Sequence, residues 1–377
     1  MRAWLATLQG GRPHRRSAIR GREAGAMTAT TSNPGTLSAQ DRQELYATMV
    51  LSRTFEDAIL REYHADKGPG FDIGKGLVPG EMHLSSGQEP VAAGVCAHLT
   101  TDDAVTATHR PHHFAIAHGM DLNKMAAEIF GRTTGFGKGR GGHMHLFDPD
   151  THFSCSGIIA EGAPPALGMA FAFKRKGGNH IAVSVVGEGA ANQGAFHESL
   201  NLAALWNLPV VFVIEDNEWA ISVPRSKSTA VASNADRASG YGMPGVTVEG
   251  NDVEAVHAAA GEAVRRARAG EGPSLIEVRT LRLLGHFEGD AQGYRPELVE
   301  VPSWDPIPRY ETVLIDAGVL TSDDVSRIKG QASERVETAI TFAKDSPEPD
   351  PADLLDNIFA DSALDNADSA LDNAEED

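Results

Sequence analysis

The amino-acid sequence predicts an α/β protein in which a parallel sheet is flanked by helices. Two apolar runs, at residues 181–186 and 210–214, are separated by a Gly-Glu-Gly turn and a helical segment. Strand, turn, helix and strand in this order form the repeating unit of a parallel sheet. Alternating strand and helix signals of this kind continue from residue 104 to about residue 276.

The helices outside this region have their own sequence signals. Ser38 is placed to cap a helix over residues 39–63, whose apolar residues recur at helical spacing. Ser86 is followed three residues later by a glutamate, a capping-box pattern that predicts a second helix start. Ser322 is the predicted cap of a C-terminal helix with an amphipathic run over residues 325–342.

Three regions are predicted along the chain. Residues 1–37 form a disordered N-terminal arm, residues 38–345 the folded domain, and residues 346–377 an acidic C-terminal region. The first 26 residues are rich in arginine but lack an amphipathic period, which favours Met27 as the translation start. Two DSALDNA repeats predict a solvated tail. Before them lies a predicted docking segment with the apolar residues Leu354, Leu355, Ile358 and Phe359.

Composition excludes several classes of protein. A chain of 377 residues with 41% hydrophobic content can bury one large core or two modest ones. No apolar run approaches the roughly 18 residues that span a bilayer, so no membrane partner is expected. The net charge of −19 argues against nucleic acid as a partner. Two cysteines cannot build a disulfide framework, which favours a cytoplasmic location.

The strand–helix–strand unit at residues 181–214 contains a candidate anion and metal site. Gly187 and Gly189 permit a tight turn, and a helix predicted to start near Ala190 offers unpaired backbone N–H groups to an anion. Glu188 and Asn217 follow the two strands, whose carboxyl ends meet at one edge of a parallel sheet. Their oxygens suit a hard cation, so the arrangement predicts a diphosphate bridged to the protein by Mg²⁺.

The spacing of this unit resembles the thiamine diphosphate motif, in which G-[DE]-G is followed, one helix and one strand later, by a pair of Asx residues. Here residues 190–215 separate Gly189 from Asp216 and Asn217. The longer run looks like the alpha subunit of the decarboxylating component of 2-oxo acid and acetoin dehydrogenase complexes. That resemblance covers roughly residues 40–360 and implies the thiamine-diphosphate-binding fold. A generic nucleotide-binding crossover is the alternative.

The resemblance assigns cofactor and metal roles within this unit. It implies that thiamine diphosphate binds at Glu188, Gly189 and Ala190. It also implies that Glu188 and Asn217 bind Mg²⁺ together with the backbone carbonyl of Trp219. Glu188 stands where most relatives have Asp and where branched-chain members have Glu. Trp219 replaces a usual Tyr, which is harmless if only its carbonyl is used.

A second matching segment, THRPHHFAIAHGMD, contains His109 and Arg110. It is similar to the family loop in which an aromatic residue and an arginine grip the cofactor diphosphate, with His109 in the aromatic position as in the acetoin-like branch. The guanidinium fork of Arg110 suits phosphate oxygens. The alternative is a zinc site formed by His109, His112, His113 and His118.

Two further segments match the family between residues 135 and 168. The Gly-rich GFGKGRGGHMHLFDP resembles the family's GKGGSMHM, which places His143 and His145 near the substrate channel, unless they are structural. The run SGIIAEGAPPALG matches the stretch that embraces the aminopyrimidine ring. Gly157 would contribute its backbone and Ile159 would hold the cofactor bent; a glycine turn followed by core is the alternative.

The catalytic candidate is His286, in RTLRLLGHFEGDAQGYR. This segment matches the loop whose single histidine faces the thiazolium carbon of the cofactor. A histidine there can donate a proton or hydrogen bond to the reacting group near neutral pH. A surface histidine without a catalytic role is the alternative.

The whole pattern is identified as the alpha half of an α₂β₂ enzyme. The resemblance implies a beta subunit as partner, transfer of the acyl group to lipoamide on the lipoyl domain of a dihydrolipoamide acyltransferase, and thiamine diphosphate with Mg²⁺ as cofactors. Pyruvate, branched-chain 2-oxo acids and acetoin remain open as substrates. Two rival interpretations are a degenerate assembly subunit and an NAD-dependent Rossmann oxidoreductase. The second needs a G-x-G-x-x-G turn, of which GEGAANQG has only the first two glycines.

The charge is unevenly distributed. Residues 1–26 contain six arginines and one acidic residue, so the remainder of the chain is more acidic than the net charge of −19 indicates. Dense carboxylates suit a halophilic protein in a cytosol of high salt; an ordinary acidic bacterial protein is the alternative.

We predict that the protein loses stability at low salt. Repulsion between carboxylates reaches further as the Debye length grows from about 3 Å at 1 M to about 30 Å at 0.01 M salt. The melting temperature should therefore rise as KCl increases from about 0.1 to 3 M, measured by circular dichroism. A melting temperature that is flat or falls over this range contradicts the halophilic interpretation.

Overall fold

The computed structural model describes residues 37–65, 67, 72–295 and 302–355. Within these ranges the chain forms ten α-helices and nine β-strands. The helices are α1 Ala39–His64, α2 Glu89–Cys96, α3 His112–Ala117, α4 Leu122–Ile129, α5 Ala163–Lys176, α6 Gly194–Leu205, α7 Arg225–Ser228, α8 Val253–Arg268, α9 Pro306–Asp316 and α10 Ser322–Asp345. The strands are β1 Ala104–Ala107, β2 Phe147–Asp148, β3 Phe153–Cys155, β4 Ala182–Gly187, β5 Val210–Asp216, β6 Trp219–Ala220, β7 Val223–Pro224, β8 Gly245–Glu249 and β9 Ser274–Arg279.

Seven of these strands form one sheet in the order β2-β3-β1-β4-β5-β9-β8. All neighbours are parallel except β2 and β3, which pair antiparallel. Gly187 pairs with Glu215, so the carboxyl ends of β4 and β5 lie side by side. The predicted α/β class with a parallel sheet flanked by helices is confirmed.

Side chains along β5 alternate between two cores. Val211 and Val213 pack into a core with residues of α1, α2, α4, α8 and α10, whereas Phe212 and Ile214 pack with residues of α5 and α6. Because both faces are covered, the strand is buried throughout, which explains its continuous apolar run.

The first predicted helix start is confirmed, and its cap is a full capping box. Ser38 Oγ accepts the backbone N–H of Asp41, and the Asp41 carboxylate accepts the backbone N–H of Ser38. Such a box satisfies two N–H groups that the first turn of a helix leaves unpaired. Helix α1 extends to His64, one residue beyond the prediction.

The capping box predicted at Ser86 is wrong. Helix α2 begins at Glu89, its N-cap residue Gln88 makes no side-chain cap bond, and Pro90 occupies the first turn. Ser86 Oγ instead donates to the buried Glu56 carboxylate at 2.9 Å, and Glu89 accepts Arg53 Nε at 2.6 Å. The side chains of Ser86 and Glu89 therefore both bond to residues of α1, and local sequence spacing does not reveal such contacts.

Two further boundaries differ from the prediction. The cap of α10 is Thr321, paired with Asp324 in a capping box, so Ser322 is the first helical residue. After the Gly-Glu-Gly turn, residues 190–192 form a single 3₁₀ turn, and α6 begins only at Gly194 because Gln193 has an extended backbone. The helix predicted to start near Ala190 is therefore interrupted by one extended residue.

The start of the acidic C-terminal region packs against the segment after α4. The backbone N–H of Thr133 donates to Pro347 O at 3.1 Å, and Arg132 pairs with Glu348 at 2.7 Å. Residues 1–36 of the predicted arm over residues 1–37, the docking residues Ile358 and Phe359, and the repeated tail lie outside the described residues. The proposed region boundaries therefore stay predictions.

None of the helices placed by the structure combines the length and apolar character needed to cross a membrane. Cys96 and Cys155 are free thiols, and both are buried.

Candidate functional site

A cavity of about 420 Å³ opens where β1, β4 and β5 end. Parallel sheets place their ligands at the carboxyl ends of the strands, because the loops that follow neighbouring strands converge there. Nine of the ten residues predicted for the site line this cavity: His109, Arg110, Ile159, Glu188, Gly189, Ala190, Asn217, Trp219 and His286. Gly157 does not line it, although its neighbours Ser156 and Ile158 do.

Carboxylate and amide oxygens meet at the ends of β4 and β5. Glu188 is 2% exposed, and its Oε2 accepts the backbone N–H of Asn217 at 3.3 Å. The Asn217 side chain donates to Gln88 Oε1 at 3.0 Å, which turns its own oxygen away from Gln88. Burial raises the pKa of Glu188, and this effect outweighs the opposing charges of Arg282 and Arg110. A hard divalent cation is the ligand that suits this pair.

The turn between Glu188 and α6 is shaped by close packing. A Cβ on Gly189 would lie 2.4 Å from the Cβ of Ala220, whereas a Cβ on Gly187 would point into open space. Arg237 holds the following turn from behind, since its guanidinium donates to Ala191 O at 2.5 Å and to Asn192 Oδ1 at 2.6 Å. The backbone of this turn is therefore fixed beside the cavity.

Arg110 is the central cation of the site. It is 4% exposed, and it donates to Leu84 O at 2.7 Å and to His286 O at 2.5 Å. Burial, and then the charge of Arg282, lower the pKa of Arg110 to about 9. Among the described residues no carboxylate forms an ion pair with this guanidinium, an arrangement that suits a multiply charged anion.

Arg282 was missed by the sequence analysis. It is 3% exposed, and its Nε and Nη1 have no hydrogen-bond partner among the residues that the structure places. His109 Nε2 is likewise buried and unpaired within that part of the chain. Buried donors are normally satisfied, so these unpaired groups fit a diphosphate as the missing partner. The sequence signal that could have identified Arg282 was its position four residues before His286, in RTLRLLGH.

His286 has a defined tautomer. Arg110 Nη2 lies 3.1 Å from His286 Nδ1, and an arginine can only donate, so Nδ1 accepts and Nε2 carries the proton. Burial, followed by the charges of Arg110 and Arg282, lowers the pKa of His286 to about 3. The side chain is therefore a neutral N–H donor at neutral pH, as a catalytic hydrogen-bond donor requires.

His83 joins this cluster and was also missed. Its ring centroid lies 4.7 Å from that of His109 and 5.0 Å from that of His286, and one ring nitrogen of each lies within 4.8 Å of the others. His83 lies in the segment HLSSGQE, which the sequence analysis used only to predict a helix cap. Tertiary packing brings three distant histidines to one point.

The zinc site considered from sequence is wrong. His112 Nδ1 lies 3.2 Å from Glu56, and His113 Nε2 lies 2.7 Å from Glu215. His118 Nε2 contacts the carbonyl of Thr151 at 2.8 Å. These side chains have separate partners and do not converge with His109, because consecutive residues of α3 point in different directions.

The Gly-rich segment folds around a buried carboxylate. Glu128 is fully buried and accepts the backbone N–H groups of Gly137, Gly139 and Gly141 at 2.7, 2.9 and 2.7 Å. A Cβ on Gly137 would lie 3.0 Å from that carboxylate, so glycine allows the close approach. The segment then delivers His143 to the histidine cluster, where its Nε2 lies 3.2 Å from His83 Nδ1.

The apolar wall of the cavity comes from the segment before α5. Ile159 is 51% exposed and Ile158 is 64% exposed. Neighbouring large apolar side chains are seldom this exposed on a surface that contacts no ligand or partner. Gly157 packs instead towards His145, since a Cβ there would lie 3.4 Å from His145 Nε2. Ile159 is thus placed to touch a ligand, and the role predicted for Gly157 stays a prediction.

Comparison with known proteins gives a consistent result. A model of the family described as "Dehydrogenase E1 component" matches residues 47–352. The chain is 46% identical over 319 residues to the alpha subunit of the acetoin:2,6-dichlorophenolindophenol oxidoreductase of Bacillus subtilis, which covers 84% of this chain and 92% of that one. It is 42% identical to the same subunit of Cupriavidus necator, over 88% of this chain and 99% of the other. It is 35% identical to the alpha subunit of the pyruvate dehydrogenase E1 component of Rhizobium meliloti, over 92% and 99%.

We predict that Glu188→Ala weakens the Mg²⁺-dependent binding of thiamine diphosphate. Without the carboxylate, the metal loses a charged ligand in a desolvated site, which should cost roughly 3 kcal/mol, about a hundredfold in Kd. Isothermal calorimetry with and without Mg²⁺ measures this loss, and Glu188→Asp should be milder. Glu198→Ala removes an exposed carboxylate from α6 as a control. An unchanged metal-dependent affinity in Glu188→Ala refutes the metal assignment.

Proposed function

Because this chain belongs to the dehydrogenase E1 component family, as an oxidoreductase subunit of the alpha type, we propose that it forms the alpha half of an α₂β₂ enzyme. That enzyme uses thiamine diphosphate and Mg²⁺ to cleave acetoin and passes the acyl group to lipoamide on a partner acyltransferase. The observation that carries the proposal is the cavity that Arg110 and the unpaired Nε2 of His109 share with the oxygens of Glu188 and Asn217, with the partly unpaired guanidinium of Arg282 close enough to lower the pKa of Arg110.

The residues at the strand ends hold the cofactor's charged end. Glu188 and Asn217 bind Mg²⁺ through their side-chain oxygens, and Trp219 adds its backbone carbonyl. Arg110 and Arg282 bind the diphosphate, whose negative charges compensate two guanidinium groups that lack carboxylate partners among the described residues. The Gly-rich turn keeps side chains away so that the backbone can approach.

The reaction needs both the cofactor and the residues around it. Bound thiamine diphosphate supplies a thiazolium carbon that adds to a carbonyl and stabilises the charge left after carbon–carbon cleavage. His286 offers its Nε2–H to an oxygen that gains charge, and its low pKa keeps it neutral. Ile159 shields the reacting end from water.

The mouth of the cavity supports a partner subunit. Ile158, Ile159, Ile221 and Val223 are exposed apolar residues that line it, with Ile221 at 57% and Val223 at 45% exposure. Exposed apolar groups clustered at a cavity mouth mark a surface that another chain covers. We assign this seam to a beta subunit, which would also contribute catalytic groups.

The relatives support acetoin as the substrate. The two most similar relatives described above, at 46% and 42% identity, are named for acetoin, and the one named for pyruvate is 35% identical. Pyruvate is therefore the second candidate. An NAD-dependent oxidoreductase is disfavoured by the family, and a degenerate subunit by the convergence of Arg110, Glu188, Asn217 and His286 on one cavity.

We predict that the chain needs its beta subunit for turnover and prefers acetoin. Purified alone, the chain should show little reduction of 2,6-dichlorophenolindophenol, because its cavity is open at the seam. Co-expressed with the beta subunit, it should reduce the dye with acetoin faster than with pyruvate or a branched 2-oxo acid. The beta subunit alone is the control. Full activity of the isolated chain contradicts the shared site, and a preference for pyruvate contradicts the substrate assignment.

We predict that His286→Ala lowers turnover without loss of cofactor. Removing a catalytic hydrogen-bond donor should reduce kcat by roughly 10²–10⁴. Thiamine diphosphate affinity should stay within a few-fold, because the metal and diphosphate residues remain. His180→Ala, away from the cavity, is the control and should keep normal kcat. Normal turnover in His286→Ala would show that the histidine has no catalytic role.

A further inference from the structure

His143 makes two contacts with His83 through a single atom. His143 Nε2 lies 3.1 Å from the backbone nitrogen of His83 and 3.2 Å from its Nδ1. The two rings are stacked with centroids 5.4 Å apart, and both are buried.

The protonation of both rings follows from the backbone contact. A backbone N–H can only donate, so His143 Nε2 is an acceptor and its proton is on Nδ1. His83 Nδ1 faces the same lone pair and contacts it favourably only as an N–H donor. Since a neutral imidazole carries one proton, His83 Nε2 is left without one.

We propose that His143 is a positioning residue that holds His83 as its Nδ1–H tautomer, so that His83 Nε2 is a proton acceptor beside the Nε2–H donor of His286. The two rings are 5.0 Å apart, and each brings a nitrogen to the same cluster with His109. His143 and Arg110 thus impose opposite tautomers on neighbouring histidines. The site gains one donor and one acceptor from two identical side chains.

Both histidines stay neutral in this arrangement. Burial, followed by the charges of His109, Arg110 and His286, lowers the pKa of His83 to about 2. Burial lowers the pKa of His143 well below its usual value. One group favours the opposite tautomer: Glu81 Oε2 lies 4.0 Å from His83 Nε2. That distance exceeds hydrogen-bond length, so the shorter contacts with His143 prevail.

The acceptor has a use in acetoin cleavage, a consequence that rests on the proposed function. When the carbon–carbon bond of acetoin breaks, acetaldehyde leaves, and its hydroxyl proton must be removed. His83 Nε2 takes that proton, the O–H electron pair becomes the second bond of the aldehyde carbonyl, and the electron pair of the broken bond would pass to the cofactor, which serves as the electron sink. The positive charges of Arg110 and Arg282 contribute to the low pKa of His83, so a bound diphosphate that compensates both guanidinium groups would raise that pKa and make His83 a stronger base. A 2-oxo acid releases CO₂ and has no hydroxyl proton to lose at this step.

Nitrogen-15 NMR tests the tautomer without any turnover. Two-bond ¹H–¹⁵N spectra of the full chain with labelled histidine distinguish protonated Nδ1 from protonated Nε2, and signals absent from His83→Asn identify His83. We expect Nδ1–H at His83 in the native chain and in His143→Gln, whose amide oxygen can replace the acceptor. His143→Leu should shift the tautomer. His118→Gln, which changes a buried histidine that contacts the Thr151 carbonyl, should leave His83 unchanged.

Two spectral results overturn the proposal: Nε2–H at His83 in the native chain, or an unchanged tautomer in a folded His143→Leu. If His143→Leu does not fold, the native and His143→Gln spectra still decide, because Nε2–H in either contradicts the assignment.

Kinetics of the co-expressed enzyme test the use of the acceptor. His143→Leu should lower kcat for acetoin by about tenfold or more with little change in KM, and His143→Gln should restore it. Turnover of pyruvate should change less. Equal losses for both substrates overturn the role in proton removal. If the native enzyme does not cleave acetoin, the proposed function is wrong. The tautomer of His83 is then still decided by the NMR spectra, which do not depend on turnover.

Discussion

The site depends on the hydrogen bonds of one buried guanidinium, that of Arg110. It follows β1, and it binds the carbonyl of Leu84 before α2 and both the carbonyl and Nδ1 of His286 after β9. Three segments far apart in the chain are joined at this group. The loop with the catalytic candidate and the segment with His83 are also joined directly, because the backbone N–H groups of Leu283 and Glu288 donate to Ser86 O and Met82 O. Guanidinium suits the task because its planar fork donates several bonds in fixed directions.

The same group adds to a concentration of buried positive charge. The charge of Arg282 contributes to the lowered pKa of Arg110, and Arg282 has donors without partners among the described residues. Buried charge of one sign is costly unless an anion compensates it. A diphosphate removes this cost, and a ligand that binds only the folded state adds to its stability. Binding and folding are therefore coupled at this edge of the sheet.

A second constraint acts on the histidines from the opposite side. Glu128 gathers three backbone N–H groups of the Gly-rich segment, and that segment presents His143 to His83. A carboxylate without a cation contact in the described residues thus organises a loop through backbone donors alone, a role that needs glycines for close approach. The tautomers in the histidine cluster are thus set by residues that do not themselves contact a ligand, which is common in sites that need fixed tautomers.

The sequence by itself determined the α/β class and the position of the site. Period and turn residues are local, so strand ends could be located, and Glu188, Asn217 and Arg110 follow strands that must converge at one edge. Tertiary structure decided what spacing cannot encode. Ser86 caps no helix because Glu56 of α1 takes its hydroxyl, and packing of distant segments brings His83 beside His109 and His286, and Arg282 close to Arg110. The tautomer of His83 depends on an acceptor, His143 Nε2, and that of His286 on a donor, Arg110 Nη2, each brought from elsewhere in the chain. Local patterns specify elements, but protonation and partnership are properties of contacts made only after folding.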